Sequence, residues 1–170
     1  MRTLAATGSI ALVTFLAALP WGLPAEYRLV LPLLPFLAIF YWTLRRIAMV
    51  PEVLVFAAGL TFDFLSDGPL GFWAMIYLAG YALSLLAATS PLAGSAPGRF
   101  LLLTGTLLTL TVVEVLVSSI YFNAAADWWP PLSAAIIAVL LYPALAALLR
   151  PIAGPHAGFA AESAAWGRDA

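Results

Sequence analysis

The chain has 170 residues, 64% of them hydrophobic and 9% charged, with a mean hydropathy of +1.04 and a formal charge of −1. A soluble domain carries about 25% charged residues, so this composition excludes an ordinary water-facing surface and predicts an integral membrane protein. The seven cations, all arginine, are scattered rather than clustered, which excludes a nucleic-acid-binding face, and the lack of cysteine excludes disulfides, thiolate metal sites and a cysteine nucleophile.

A membrane-crossing helix needs about 20 mostly apolar residues, and six stretches approach that length. The first spans 5–23 and ends at the polar patch 26–28. Arg2 and the apolar run after it have the form of a secretory signal, but Pro20, Trp21, Gly22 and five further spans favour an uncleaved helix. The second spans 29–44, where Pro32 and Pro35 predict irregular first turns, and stops at Arg45-Arg46. The third covers 47–65, with Pro51 near its start and Glu52 as a helix-start carboxylate. The fourth covers 69–89 and places Tyr77, Gly80, Tyr81 and Ser84 on one side, a packing face. Its Phe72 and Trp73, like Trp128-Trp129 of the 123–131 loop and Tyr41-Trp42 of the second span, have the positions of interfacial anchors. A link rich in proline, glycine and serine (90–98) precedes Arg99, the fifth span covers 100–122 and the sixth 131–149. Residues 1–150 thus read as a six-helix transmembrane domain. Residues 151–170 read as a short disordered tail, its His156 solvated.

Orientation follows from the arginines. With the N-terminus in the cytoplasm, Arg2, Arg45, Arg46, Arg99, Arg150 and Arg168 lie inside and Arg28 alone lies outside. Both termini are then cytoplasmic, and the turns at 63–71 and 123–131 face outward.

Two places break the apolar pattern with chemistry. Asp63 closes the third span, and Ser66-Asp67-Gly68-Pro69-Leu70-Gly71 turns the chain into the fourth. Gly68 suits a left-handed helix end and Pro69 suits a helix start. A carboxylate in the last turn of its own helix opposes the dipole there, whereas the start of the next helix offers free N–H groups. Asp63 is therefore expected to tie this hairpin shut or to meet a partner at its tip. Glu114 is the deepest acidic residue, and Thr111, Ser118 and Tyr121 share its helix face, with Thr104 extending it. That polar stripe is expected to be buried against protein, holding a neutral or hydrogen-bonded Glu114 within the bundle, or else lining a cavity or meeting a partner helix. The sequence has no serine–histidine pairing, no phosphate-binding glycine loop and no histidine-based metal set. Asp63 and Asp67 alone make a weak case for catalysis, and the reading is non-enzymatic, with neither cofactor nor metal.

The stretch Gly59 to Gly71, with Asp63 eight residues before Gly71 and Pro69-Leu70-Gly71 closing the turn, resembles MreD, the rod-shape-determining membrane protein family of bacteria. Pro35 followed by Tyr41-Trp42 just before the arginines is similar to the family as well. Asp67 departs from the small residue usual in the family's turn, although aspartate tolerates a left-handed backbone. The specific likeness covers about residues 31–81. It implies a bundle similar to the six-helix substrate-binding subunits of energy-coupling-factor transporters, in the bacterial inner membrane. It implies a non-enzymatic scaffold of the cell-elongation and peptidoglycan-synthesis machinery, with Asp63, Ser66, Gly68, Pro69, Gly71, Tyr41 and Trp42 organising the hairpin or binding partners. Those partners would be an MreC-like single-span protein and, directly or through it, a RodA-type glycosyltransferase with its transpeptidase, besides membrane lipid. The alternative on the same shape is a vitamin-type transport subunit whose pocket is lined by Asp63, Glu114 and Tyr77.

Overall fold

A computed structural model describes residues 2–22, 24, 28–45, 50–66, 69–122 and 127–153. Glu26, Arg46, Asp67, Gly68, His156, Arg168 and the rest of the tail after residue 153 lie outside the described residues. Among the described residues the chain is all-helical. It comprises α1 (Arg2–Ala18), α2 (Leu33–Arg45), α3 (Glu52–Leu65), α4 (Phe72–Ala88), α5 (Ala96–Phe122) and α6 (Trp129–Ala153), with a single 3-10 turn at Pro91–Gly94 between α4 and α5. Two helices, α5 and α6, are long and apolar enough to cross a membrane. The others have 13 to 17 residues, or about 20 to 26 Å at 1.5 Å per residue.

The shortest helix occupies the centre. Every residue of α2 from Pro35 to Thr43 is buried. A helix that is apolar all round has no polar face to turn outward, so it is stable when neighbours cover every side. Here α1, α4 and α6 do so. Its late start follows from the prolines. Residues 28–34 form turns in which the Leu31, Leu33 and Leu34 N–H groups donate to the carbonyls of Arg28, Val30 and Leu31. Regular helix begins only at Leu33, because Pro35 has no N–H to give to the Leu31 carbonyl.

Around this axis α4 packs on α2, α3 and α5, while α6 packs on α1, α2 and α5. Two tyrosines of α4 bind carbonyls on neighbouring segments. The Tyr77 hydroxyl donates to the Pro32 carbonyl, and the Tyr81 hydroxyl to the Val50 carbonyl at 2.7 Å. The Leu54 N–H takes the Pro51 carbonyl instead, which leaves the Val50 carbonyl for Tyr81. Gly80 lies between the tyrosines. A Cβ there would sit 2.4 Å from the Phe36 ring of α2 and 2.9 Å from Leu110 of α5. The side of α4 expected to pack does so, with Tyr77, Tyr81 and Ser84 all buried.

Three expected anchors are corrected. Tyr41 and Trp42 are 3% and 2% exposed, and Trp73 is 7% exposed. Trp42 is drawn inward by polarity: its Nε1–H donates to the Ser9 hydroxyl (2.8 Å), which in turn donates to the Ala6 carbonyl (2.9 Å), linking α2 to α1. Trp73 stands edge-on to Phe62 and Phe72, with ring centres 6.0 and 5.3 Å apart. Trp128 and Trp129 are exposed.

Candidate functional site: a carboxylate that closes the α3–α4 hairpin

Asp63 is fully buried. Its Oδ2 accepts from the Gly71 N–H at 2.9 Å and the Ala74 N–H at 3.4 Å, and its Oδ1 accepts from the Trp73 N–H at 2.9 Å. A helix start leaves its first N–H groups without intrahelical partners, and a residue at the cap normally supplies the acceptor. In α4 that position is Gly71, with no side chain to offer and φ of +91°. The acceptor comes instead from the facing helix. The Phe72 N–H donates to the Pro69 carbonyl and the Met75 N–H to the Gly71 carbonyl, so Asp63 completes the pairing of the first turn. A negative carboxylate at this positive helix end is also favoured by the dipole. Of the two expectations for Asp63, the geometry matches the tie: both oxygens are used within the hairpin.

Gly59 makes the tie possible. It lies one turn before Asp63 on the same face of α3, against the backbone of α4. A Cβ on it would fall 2.4 Å from the Ala74 Cα, 2.7 Å from the Ala74 nitrogen and 2.9 Å from the Trp73 carbonyl carbon. The Asp63 side chain is short, so α3 must approach α4 this closely for its carboxylate to reach the N–H groups. Ser66 ends α3 by bringing both its N–H and its hydroxyl to the Phe62 carbonyl, at 2.9 and 2.7 Å. Pro69 supplies its carbonyl to Phe72. The Asp67–Gly68 part of the turn falls outside the described residues.

Beside the hairpin, where α1 and α3 end and α2 begins, lies a cavity of about 500 Å³ lined by Trp21, Arg28, Pro32, Phe62, Ser66 and Trp73 among others. None of Asp63, Tyr77 and Glu114, the residues expected to line a transport pocket, lines this cavity; Asp63 and Tyr77 are fully buried and hydrogen-bonded.

The polar stripe of α5 is buried only in part. Thr111 and Glu114 are 9% and 8% exposed and Ser118 is half-buried, but Tyr121 is 64% exposed. The reason is length: α5 has 27 residues against 17 in α4 beside it, and its last turn, with Ile120 also exposed, extends past its cover. The Thr111 hydroxyl donates back to the Leu107 carbonyl. No group among the described residues bonds the Glu114 carboxyl.

Sequence reasoning missed the Ser9–Trp42 and Tyr77–Pro32 links, which join positions 33 and 45 residues apart and leave no local pattern. Compared with known proteins, the chain matches no family model, no curated protein and no solved structure.

Proposed function

We propose that this chain is a six-span, non-enzymatic scaffold of the bacterial inner membrane, acting in cell elongation as an MreD-like protein that holds an MreC-like single-span partner. The observation that carries this reading is the Gly59–Asp63 contact with the start of α4. The stretch that most resembles the family is the one in which a carboxylate is wholly committed to shape. A fully buried carboxylate with three backbone N–H groups on its two oxygens is closed to substrate by its burial, and suits a rigid bend presented to another protein. The apolar exterior supports the membrane part of the reading. Leu4, Phe64, Leu86, Leu140 and Leu148 are each about two-thirds or more exposed, a surface that water disfavours and acyl chains accept.

The test is recovery of partners from the native membrane. Tagged chain solubilised in mild detergent should bring down an MreC-like protein and, with it, the glycosyltransferase–transpeptidase pair. Asp63→Ala should reduce that recovery and round the cells. The cavity of about 500 Å³ falls in the range of small-molecule sites and favours transport as the second reading. Recovery of an ATPase module with its coupling subunit, or saturable binding of a vitamin-sized solute, would replace the scaffold by that alternative.

A further inference from the structure

At the end of the bundle away from the Asp63 hairpin, where α2 and the start of α5 meet α6, a second cavity of about 200 Å³ is lined by Tyr41, Arg45, Ala96, Arg99 and Tyr142, with Pro143 beside them. We propose that this cavity binds a phosphate group, either inorganic phosphate or the phosphate of a lipid headgroup. It is independent of the scaffold reading and needs only that the chain be folded.

Three observations converge. The Tyr41 hydroxyl is the one fully buried side-chain polar atom, among the described residues, with no hydrogen-bond partner. An unmade bond of that kind is costly, and the natural remedy for a lone hydroxyl donor is an acceptor brought by a ligand. Second, the charge around it is of one sign. The Arg45 guanidinium lies 4.7 Å from the centre of the Tyr41 ring, and among the described residues the charged or titratable groups that act on it are Tyr41, Arg99, Tyr142 and Arg150, with no carboxylate among them. Arg99 uses one nitrogen on the Ala93 carbonyl at 3.2 Å, its one side-chain bond among the described residues. Third, Ala96, the first residue of α5, lines the same space; the Ser95 hydroxyl already accepts the Gly98 N–H and Pro97 has none, so the helix adds the field of its positive end rather than hydrogen-bond donors.

The donor set consists of two guanidinium forks and two phenol hydroxyls. It offers hydrogen-bond donors and positive charge around one concavity, as the tetrahedral, multiply accepting oxygens of phosphate require. Size agrees with this. A water occupies about 30 Å³ of liquid, so the cavity takes a polyatomic anion with room for bridging water. By the arginine distribution it opens on the cytoplasmic side, at the depth of the headgroups, which is why both sources are tested.

The whole protein, purified in a neutral detergent, is titrated with inorganic phosphate against chloride at matched ionic strength, and separately with short-chain phosphatidylglycerol against the phosphate-free diacylglycerol of the same chain length. Thermal unfolding is followed by tryptophan fluorescence. The unfolding temperature should rise with one of the two phosphate sources beyond its control. A response to inorganic phosphate assigns a soluble ligand, and a response to phosphatidylglycerol alone assigns a headgroup. Arg45→Gln and Arg99→Gln should each weaken the response about tenfold, as loss of a charged hydrogen bond does. Tyr41→Phe guards against misfolding as an explanation. It should unfold no lower than the parent without ligand, because it deletes an unsatisfied group, yet respond more weakly to phosphate. No response beyond the controls, or variants that respond like the parent, would overturn the proposal.

Discussion

Asp63 and Glu114 are both buried carboxylates on apolar helices, yet they answer differently to the same change. Asp63 accepts three backbone N–H groups through both oxygens. Asp63→Asn keeps the shape but must turn an NH₂ toward one of those donors, and Asp63→Ala abandons them all. Leaving buried donors unpaired costs roughly 1–3 kcal/mol each, so Asp63→Ala should lose about 3 kcal/mol or more and Asp63→Asn a large part of that, read as lowered thermal unfolding in detergent. Glu114 has no such partner among the described residues. Glu114→Gln removes a carboxyl whose charged form the bundle does not compensate, and the unfolding temperature should stay level or rise. Equal losses in both variants would mean that hydrogen bonding does not distinguish these two sites. A third residue-scale case is Ser9, which accepts from Trp42. Ser9→Ala orphans the indole N–H inside the core and should cost about 1–2 kcal/mol, within the range for an unsatisfied buried donor.

At the scale of helices, the α3–α4 pair depends on a contact with no room for a methyl group. Gly59→Ala drives a Cβ into the Ala74 backbone, and backbone cannot rotate away as a side-chain tip can. The helices must separate, which costs about 1–3 kcal/mol for overpacking, and the Asp63 bonds lengthen with them. Gly105→Ala on α5 is the control, because nothing lies within 4 Å of the added atom. There alanine's better helix propensity should leave stability unchanged or raised by up to about 1 kcal/mol. The hairpin was legible in the sequence because its signals are local and chemical: a carboxylate opposed to its own helix dipole, then serine, glycine and proline in order. The central place of α2 was not. Hydropathy finds apolar helices, but in lipid the protein-facing and lipid-facing sides are alike apolar, so nothing in residues 33–45 distinguishes a core helix from a peripheral one. Tyr41, Trp42 and Trp73 were misplaced for a related reason. An aromatic residue with one polar atom serves equally as an interfacial anchor or as a core residue bonded to a neighbour, and the neighbour is remote in sequence.

For the whole molecule, the six-span reading makes a demand that can be checked without a partner. The two cavities lie at opposite ends of the bundle, one beside the α3–α4 hairpin and one at the end of α2 and the start of α5. If the arginine count sets orientation, the hairpin faces outward and the link between α4 and α5 faces the cytoplasm. The helices α1 to α4 are short for a membrane core of about 30 Å, so the bundle crosses only if flanking turns at 19–22, 28–32 and 89–95 complete the thickness, or if the bilayer thins around it. The chain contains no cysteine, which makes single introduced thiols unambiguous reporters. Leu70 is 73% exposed at the hairpin and Leu92 is 44% exposed on the 3-10 turn, and neither donates or accepts a side-chain hydrogen bond that a substitution would break. In intact cells a membrane-impermeant maleimide should label Leu70→Cys directly and Leu92→Cys only after permeabilisation. The opposite order would invert the bundle and place the arginine-lined cavity outside. Labelling of both from one side would remove the α4 crossing altogether, and with it the outward hairpin on which the scaffold reading depends.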